Sequence, residues 1–266
     1  MTRTPPRILA IAGSDSSGGA GIQADIKTIA MLGGYAMSAI TAVTAQNTLG
    51  VQGVELLPPE FVAQQVDSCL SDIGADAVKI GMLGSADIAR AAARALAAFD
   101  GPLVFDPVMV ATSGSVLADE ATVAAFRVLM DRAAIIAPNL PELAALSGGA
   151  ALDGREAIYE AAAALAARHD AHVLAKGGHG GGERVQDILV SPDGSALEFD
   201  HARIATRHTH GTGCTLSSAI ATLLGHGQRM DHAVRLARQF VFQAIEAAPG
   251  FGAGSGPLGH QAVRRG

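Results

Sequence analysis

Cysteine is scarce: Cys69 and Cys214 are the only two among 266 residues, and no C-x-x-C pair occurs. That excludes a disulfide scaffold and points to a reducing, cytoplasmic compartment. Basic residues are in the minority, nineteen against twenty-five acidic ones for a net charge of −6, so the footprint of a nucleic-acid binder is missing. Long apolar runs are missing too. The start, MTRTPPRILAIAGSDSSGG, is basic, but its apolar run covers only Ile8 to Ala12 before the chain turns polar. Neither a signal peptide nor a membrane span is expected. Tryptophan is absent and aromatics reach only 4%.

Against these gaps stand 49% hydrophobic and 17% charged residues, the balance of a globular protein. The excess is in glycine, 32 residues with no G-X-Y period and no low-complexity tract. Such glycines must serve local backbone geometry. Length alone allows one large or two small domains. No composition break or internal repeat divides the chain, so one domain over residues 1–266 is expected.

Short apolar runs alternate with stretches of helical period. Strand character falls on residues 7–12, 36–45, 75–80, 103–106, 133–137 and 171–175. Helical period falls on residues 21–32, 59–73, 85–99, 119–131, 141–146 and 154–169. Within 59–73, Val62, Val66, Cys69, Leu70 and Ile73 share one face, which makes Cys69 a core residue. The alternation implies stacked βαβ units: an α/β fold with a mostly parallel central sheet covered by helices on both faces. Residues 185–190 and 196–199 flank Ser191-Pro-Asp-Gly194 and read as an antiparallel hairpin. Helices over 213–226 and 230–247 close the chain.

Two glycine-rich segments follow strands and open helices. The first is Ala12-Gly-Ser-Asp-Ser-Ser-Gly-Gly-Ala-Gly-Ile-Gln-Ala-Asp25, a loop through which a ligand can approach the backbone closely, or a tight turn capped by Asp15. It formally meets the dinucleotide pattern, but no acid stands between Asp25 and Glu55 to hold a ribose, and GxxxxGK[ST] is absent. The second, Thr209-His-Gly-Thr-Gly-Cys214, places the backbone N–H groups of Gly211, Thr212, Gly213 and Cys214 at a helix start, where developing negative charge is stabilised. There Cys214 reads as a base or nucleophile with a lowered pKa, or as a small buried residue. Asp106, Asn139, Glu142 and Lys176 follow strands, and the strand ends of an open α/β sheet form the ligand crevice. Two carboxylates for a hard cation, a lysine for phosphate and an anion hole form the inventory of phosphoryl transfer.

These motifs, with Thr44-Ala-Gln-Asn-Thr48, Lys79-Ile-Gly-Met-Leu83, Asp106-Pro-Val-Met109, Pro138-Asn-Leu-Pro-Glu142 and Lys176-Gly-Gly-His179, occur in the order of a known family. The chain resembles the hydroxymethylpyrimidine/phosphomethylpyrimidine kinases of thiamine biosynthesis, in the ribokinase-like superfamily, from about Ile8 to His260. The resemblance implies a three-layer αβα fold, ATP and Mg2+ as cofactors, an aminopyrimidine substrate and a homodimer. It implies that Gly13, Ala20, Asp25, Val43, Gln46, Met82 and Val108 surround the pyrimidine, with Gln46 and Asp25 supplying its hydrogen bonds. Cys214 takes the place of the superfamily's aspartate base, with Gly211, Thr212 and Gly213 as anion hole. Asp106 and Glu142 organise magnesium and its waters, and Asn139, Lys176 and Thr212 lie near the nucleotide phosphates. Two positions depart from the family pattern: Thr112 replaces a lysine and His208 an asparagine. His179 and His210 read as scaffold rather than metal ligands. A pyridoxal or pyridoxine kinase of the same superfamily, and a non-catalytic pyrimidine-binding protein, are the alternatives.

Overall fold

The computed structural model describes residues 4–110, 114, 117–149, 151–179 and 182–263. An interior strand, β1 (Arg7–Asp15), has its apolar run buried on both sides. Leu9 and Ile11 face one cluster; Ile8, Ala10 and Ala12 face another. A strand covered on both faces has no reason to alternate apolar with polar, which is why this run reads as continuous.

Around it a nine-stranded sheet runs in the order β3-β2-β1-β4-β5-β6-β7-β8-β9. The strands are β2 (Tyr35–Asn47), β3 (Gly50–Leu56), β4 (Ala77–Ile80), β5 (Leu103–Phe105), β6 (Ile135–Ile136), β7 (His172–Ala175), β8 (Arg184–Val190) and β9 (Ala196–Ala202). Pairing is parallel from β2 through β1, β4, β5 and β6 to β7, and antiparallel at both margins. On one face α2 (Pro59–Asp72), α3 (Ala86–Ala95), α4 (Glu120–Ala125), α5 (Arg127–Met130) and α7 (Gly154–His169) bury Val62, Ile88, Ala125, Leu129 and Leu165. On the other, α1 (Gly21–Met31), α8 (Thr212–Gly225) and α9 (Met230–Glu246) bury Ile22, Leu216, Ile220 and Val234. This is the expected three-layer αβα arrangement. No described helix is long and apolar enough to cross a membrane.

The expected hairpin forms, closed by Ser191 N donating to Ser195 O at 2.8 Å. Two features depart from expectation. The helix expected over 119–131 divides at Phe126, whose N–H is shared between Thr122 O and Val123 O while its ring packs edge-on against Phe105 at 5.2 Å. The edge strand β3 is additional; its Val54 and Leu56 remain exposed, so it has no buried face to imprint a period on the sequence. Cys69 is partly buried against the core, as its helical face implies.

Candidate active site

The crevice is built at the carboxyl ends of the parallel strands, where β1 leads into α1 on one face of the sheet while β4 and β5 lead into α3 and α4 on the other. The loop after β1 is organised by Asp15. Its buried carboxylate accepts from Ser17 N (2.8 Å), Gly19 N (3.1 Å) and Ala20 N (2.8 Å), and from His210 Nε2 (2.8 Å). Burial acts to raise its pKa, but the bonds from His210, Ser17 and Ala20 outweigh this and hold it at about 2. Asp15 therefore does more than cap a turn: it fastens the first glycine loop to the second. Gly211 completes the joint. It sits at φ +85, and a Cβ there would run into the Gly19 carbonyl, so only glycine lets the two backbones touch.

Gly211 hands the chain to α8, whose first turn faces the strand ends. A Cβ on Gly213 would lie 3.5 Å from both Asp106 Oδ2 and Lys176 Nζ. Lys176 donates to Asp106 Oδ1 at 2.7 Å and lies 4.0 Å from Glu142 Oε2; Ser217 Oγ donates to Asp106 Oδ2 at 3.2 Å. Burial opposes the charge on Lys176, yet Asp106 and Glu142 hold its pKa above the usual value. Glu142 is pushed up to about 7 by burial and by Asp106, against Lys176 and backbone donors.

Glu142 also works locally. With Asn139 it forms a capping box on α6 (Leu140–Leu146): Asn139 Oδ1 accepts from Glu142 N (2.9 Å) and Glu142 Oε2 from Asn139 N (2.8 Å). Asn139 is bridged to Lys176 in parallel register, so the cap is part of the site's floor. Thr212, expected near the phosphates, spends its hydroxyl hydrogen on Thr209 O at 2.7 Å.

Among the described residues no three His, Cys, Asp or Glu side chains cluster tightly enough to hold a metal ion. The chemistry of the donors nonetheless suits magnesium. Two buried carboxylates, Asp106 and Glu142, share the one ammonium of Lys176, which leaves net negative charge for a cation to meet. Mg2+ takes one or two carboxylates, with waters and phosphate oxygens filling its shell.

Two expectations are corrected. Asp25, expected against the substrate, is fully buried; it accepts from Lys79 Nζ at 2.8 and 2.9 Å and from Ser218 Oγ at 2.6 Å. Its carboxylate is committed to that pair beneath the crevice. Burial would strip the charge from Lys79, but Asp25, Cys214 and Asp106 raise its pKa above the ordinary ammonium range. Cys214, expected to have a lowered pKa, is pushed up to about 11. Burial is the largest cause, with Asp25 and Asp106 adding to it and Lys79 and the Gly21 backbone opposing. The helix field is present, but burial and the two neighbouring acids outweigh it.

The remaining predicted residues lie along the same rim. A Cβ on Gly13 would meet Met82 Sδ at 3.0 Å, and Thr41 Oγ1 donates to Met82 O at 2.7 Å, tying the ends of β1, β2 and β4 together. Val43 is paired with Ser14 and is 46% exposed. Ala20 lies against Gly211. Val108 N donates to Asp106 O at 2.8 Å, and Val108 is partly buried. Gln46 is partly buried beside His210, 3.3 Å from Nε2. His210 has the scaffold place expected of it. Thr112 and most of its loop lie outside the described residues, as does the side chain of His179. His208, the other departure, stands beside Gly256 with its Nδ1 buried. Lys79, Ser218 and the Asp15–His210 contact carry no assigned role in the motifs. The one signal for Lys79 was a lone cation inside the apolar run Val78-Lys-Ile80.

The sequence profile described as phosphomethylpyrimidine kinase matches residues 15–259. A hydroxymethylpyrimidine/phosphomethylpyrimidine kinase of Streptomyces coelicolor is 47% identical over 259 residues, 97% of this chain and 95% of that protein. A thiamine biosynthesis multifunctional protein of Corynebacterium efficiens is 45% identical over 263 residues, covering 98% of this chain. This chain spans only 34% to 47% of the length of such larger relatives. Among solved structures, a Staphylococcus aureus pyridoxal kinase in complex with AMP-PCP superposes with a TM-score of 0.90 at 33% identity, over 98% of this chain and 96% of that one.

Proposed function

The chain belongs to the phosphomethylpyrimidine kinase family, and we propose that it phosphorylates 4-amino-5-hydroxymethyl-2-methylpyrimidine with ATP, then phosphorylates the monophosphate to the diphosphate, for thiamine diphosphate biosynthesis. The observation that carries this reading is the first turn of α8 set against Asp106 and Lys176, whose Oδ2 and Nζ would each lie 3.5 Å from a Cβ on Gly213. The start of a helix and an ammonium stand side by side there, and phosphoryl transfer asks chiefly for positioning and charge stabilisation.

In the first transfer the alcohol oxygen attacks the γ-phosphorus, the bond to the bridging oxygen breaks, and ADP leaves. The alcohol proton passes to the Cys214 thiolate, which returns it to solvent as a thiol. With a pKa of about 11, that thiolate is a minor species at neutral pH, and its share grows roughly tenfold per pH unit. In the second transfer the acceptor is already an anion and needs no such base. Backbone N–H groups of residues 211–214 receive the charge that develops, and Lys176 bears on the nucleotide phosphates. Bound with ATP, magnesium would neutralise phosphate charge, held through its waters by Asp106 and Glu142. Gln46 reads the pyrimidine edge, and Met82, Val43 and Val108 wall the ring.

The pyridoxal kinase fold neighbour keeps a second reading alive, pyridoxal or pyridoxine phosphorylation, but identity runs 47% to the pyrimidine kinase against 33% to that structure. Turnover of the aminopyrimidine and of pyridoxine on one preparation decides between them; clear preference for pyridoxine overturns the proposal. Calorimetric pyrimidine binding with no ADP released from MgATP would instead make this a non-catalytic binding protein. The proposal includes one kinase domain over residues 1–266, acting in the cytoplasm as a homodimer, the last tested by light scattering.

A further inference from the structure

His210 is 5% exposed, and its Nε2 lies 2.8 Å from Asp15 Oδ2 and 3.3 Å from the Gln46 side-chain nitrogen. Asp15 is ionised, because the bonds it accepts outweigh its burial. An ionised carboxylate only accepts, so Nε2 carries a proton whether the imidazole is neutral or charged. That nitrogen then has no lone pair for an amide N–H, and the Gln46 nitrogen beside it is a donor facing a donor. Thr44 adds a second constraint. Its one hydroxyl hydrogen has two acceptors in reach, Ser14 O at 3.0 Å and Gln46 Oε1 at 3.1 Å.

We propose that His210, held by Asp15, keeps the Gln46 amide with its oxygen towards His210 and its nitrogen towards Thr44, and that this fixed direction makes the site select a 4-amino over a 4-oxo pyrimidine. A half-turn of the terminal torsion exchanges the two amide atoms without changing the side chain's shape, and it satisfies every partner. Thr44 donates to Ser14 O and accepts a Gln46 N–H; the His210 N–H is shared by Asp15 and Gln46 Oε1. The second amide hydrogen and the second oxygen lone pair remain for a ligand. A 4-aminopyrimidine edge offers a ring-nitrogen acceptor beside an amino donor. The 4-oxo ring offers the reverse order, a ring N–H beside a carbonyl, so an amide held in one direction matches only one of them. Asp15, His210 and Thr44 are positioning residues here, acting through Gln46. The selectivity part rests on the pyrimidine reading above.

The test combines NMR of the resting protein with kinetics. In the wild type, nuclear Overhauser effects should run from the Gln46 amide hydrogens to the Thr44 methyl group; effects to the His210 ring with none to Thr44 overturn the proposal. Values of kcat/KM are compared for the 4-amino substrate and its 4-oxo analogue. The wild type should favour the amino form by about 10³ or more, as sites built to hydrogen-bond do. Thr44→Val, which keeps the shape and removes the acceptor, should lower that ratio about tenfold or more, chiefly through KM of the amino substrate. His210→Leu should lower it likewise, and His210→Gln, which retains a donor for Asp15, should restore most of it. An unchanged ratio in Thr44→Val overturns the proposal. Should the wild type turn over neither pyrimidine, the functional reading fails and the Overhauser pattern alone decides the amide direction.

Discussion

Lys79 and Asp25 form an ion pair with both side chains at 0% exposure, joined by contacts of 2.8 and 2.9 Å. Two unit charges at that separation attract by about 6 kcal/mol at an effective dielectric near 20, offset by the cost of taking both from water. Lys79→Met removes the attraction but leaves the desolvation of Asp25, whose one remaining side-chain donor is Ser218 at 2.6 Å. The expected loss of stability is about 3–5 kcal/mol. It carries a pH signature. Burial already raises the Asp25 pKa, and without Lys79 it rises further above its unfolded value near 3.9. A group with a raised folded pKa contributes stability at low pH that is lost as pH rises. The variant should therefore be markedly less stable at pH 8 than at pH 5. Adding Asp25→Leu, which turns the pair into two apolar side chains, should recover most of the loss. Urea titrations of the wild type, the single and the double variant at both pH values provide the check. A cost below about 1 kcal/mol, or a double variant no more stable than the single one, would refute the reasoning.

Three further outcomes follow from the site. Cys214→Ala should slow the first phosphorylation by about 10²–10⁴ and the second far less; the wild-type first step should climb from pH 7 to 9 towards the thiol's value of about 11, while the variant stays flat, as followed by steady-state kinetics on each acceptor. Gly211→Ala forces a Cβ against the Gly19 carbonyl at a φ of +85, and should lower thermal stability and abolish detectable turnover. Asn139→Ala removes half of the capping box; it should cost about 0.5–2 kcal/mol in denaturant titration and raise KM for ATP more than KM for the pyrimidine.

Much of the frame was legible because buried strands and amphipathic helices imprint their periods locally: α7 has the expected bounds of 154 and 169, and the hairpin around Ser191-Pro-Asp-Gly194 forms as read. The glycine motifs likewise marked both loops. What stayed hidden came from residues far apart in the chain. Asp15 meets His210 across 195 positions, and Asp25 meets Lys79 across 54. Cys214 shows the consequence most clearly. Its helix start argued for a lowered pKa, whereas burial, together with Asp25 and Asp106 from other segments, raises it. β3 escaped for the opposite reason, since an exposed edge strand buries no face and Gly50 and Gly53 interrupt its pattern.

The central claim is two successive phosphoryl transfers to one aminopyrimidine. It is tested most directly by ADP release from excess MgATP with limiting 4-amino-5-hydroxymethyl-2-methylpyrimidine, with products identified by mass spectrometry. The account predicts two equivalents of ADP per pyrimidine and the diphosphate as end product. No ADP above background, or turnover confined to pyridoxine, would contradict it.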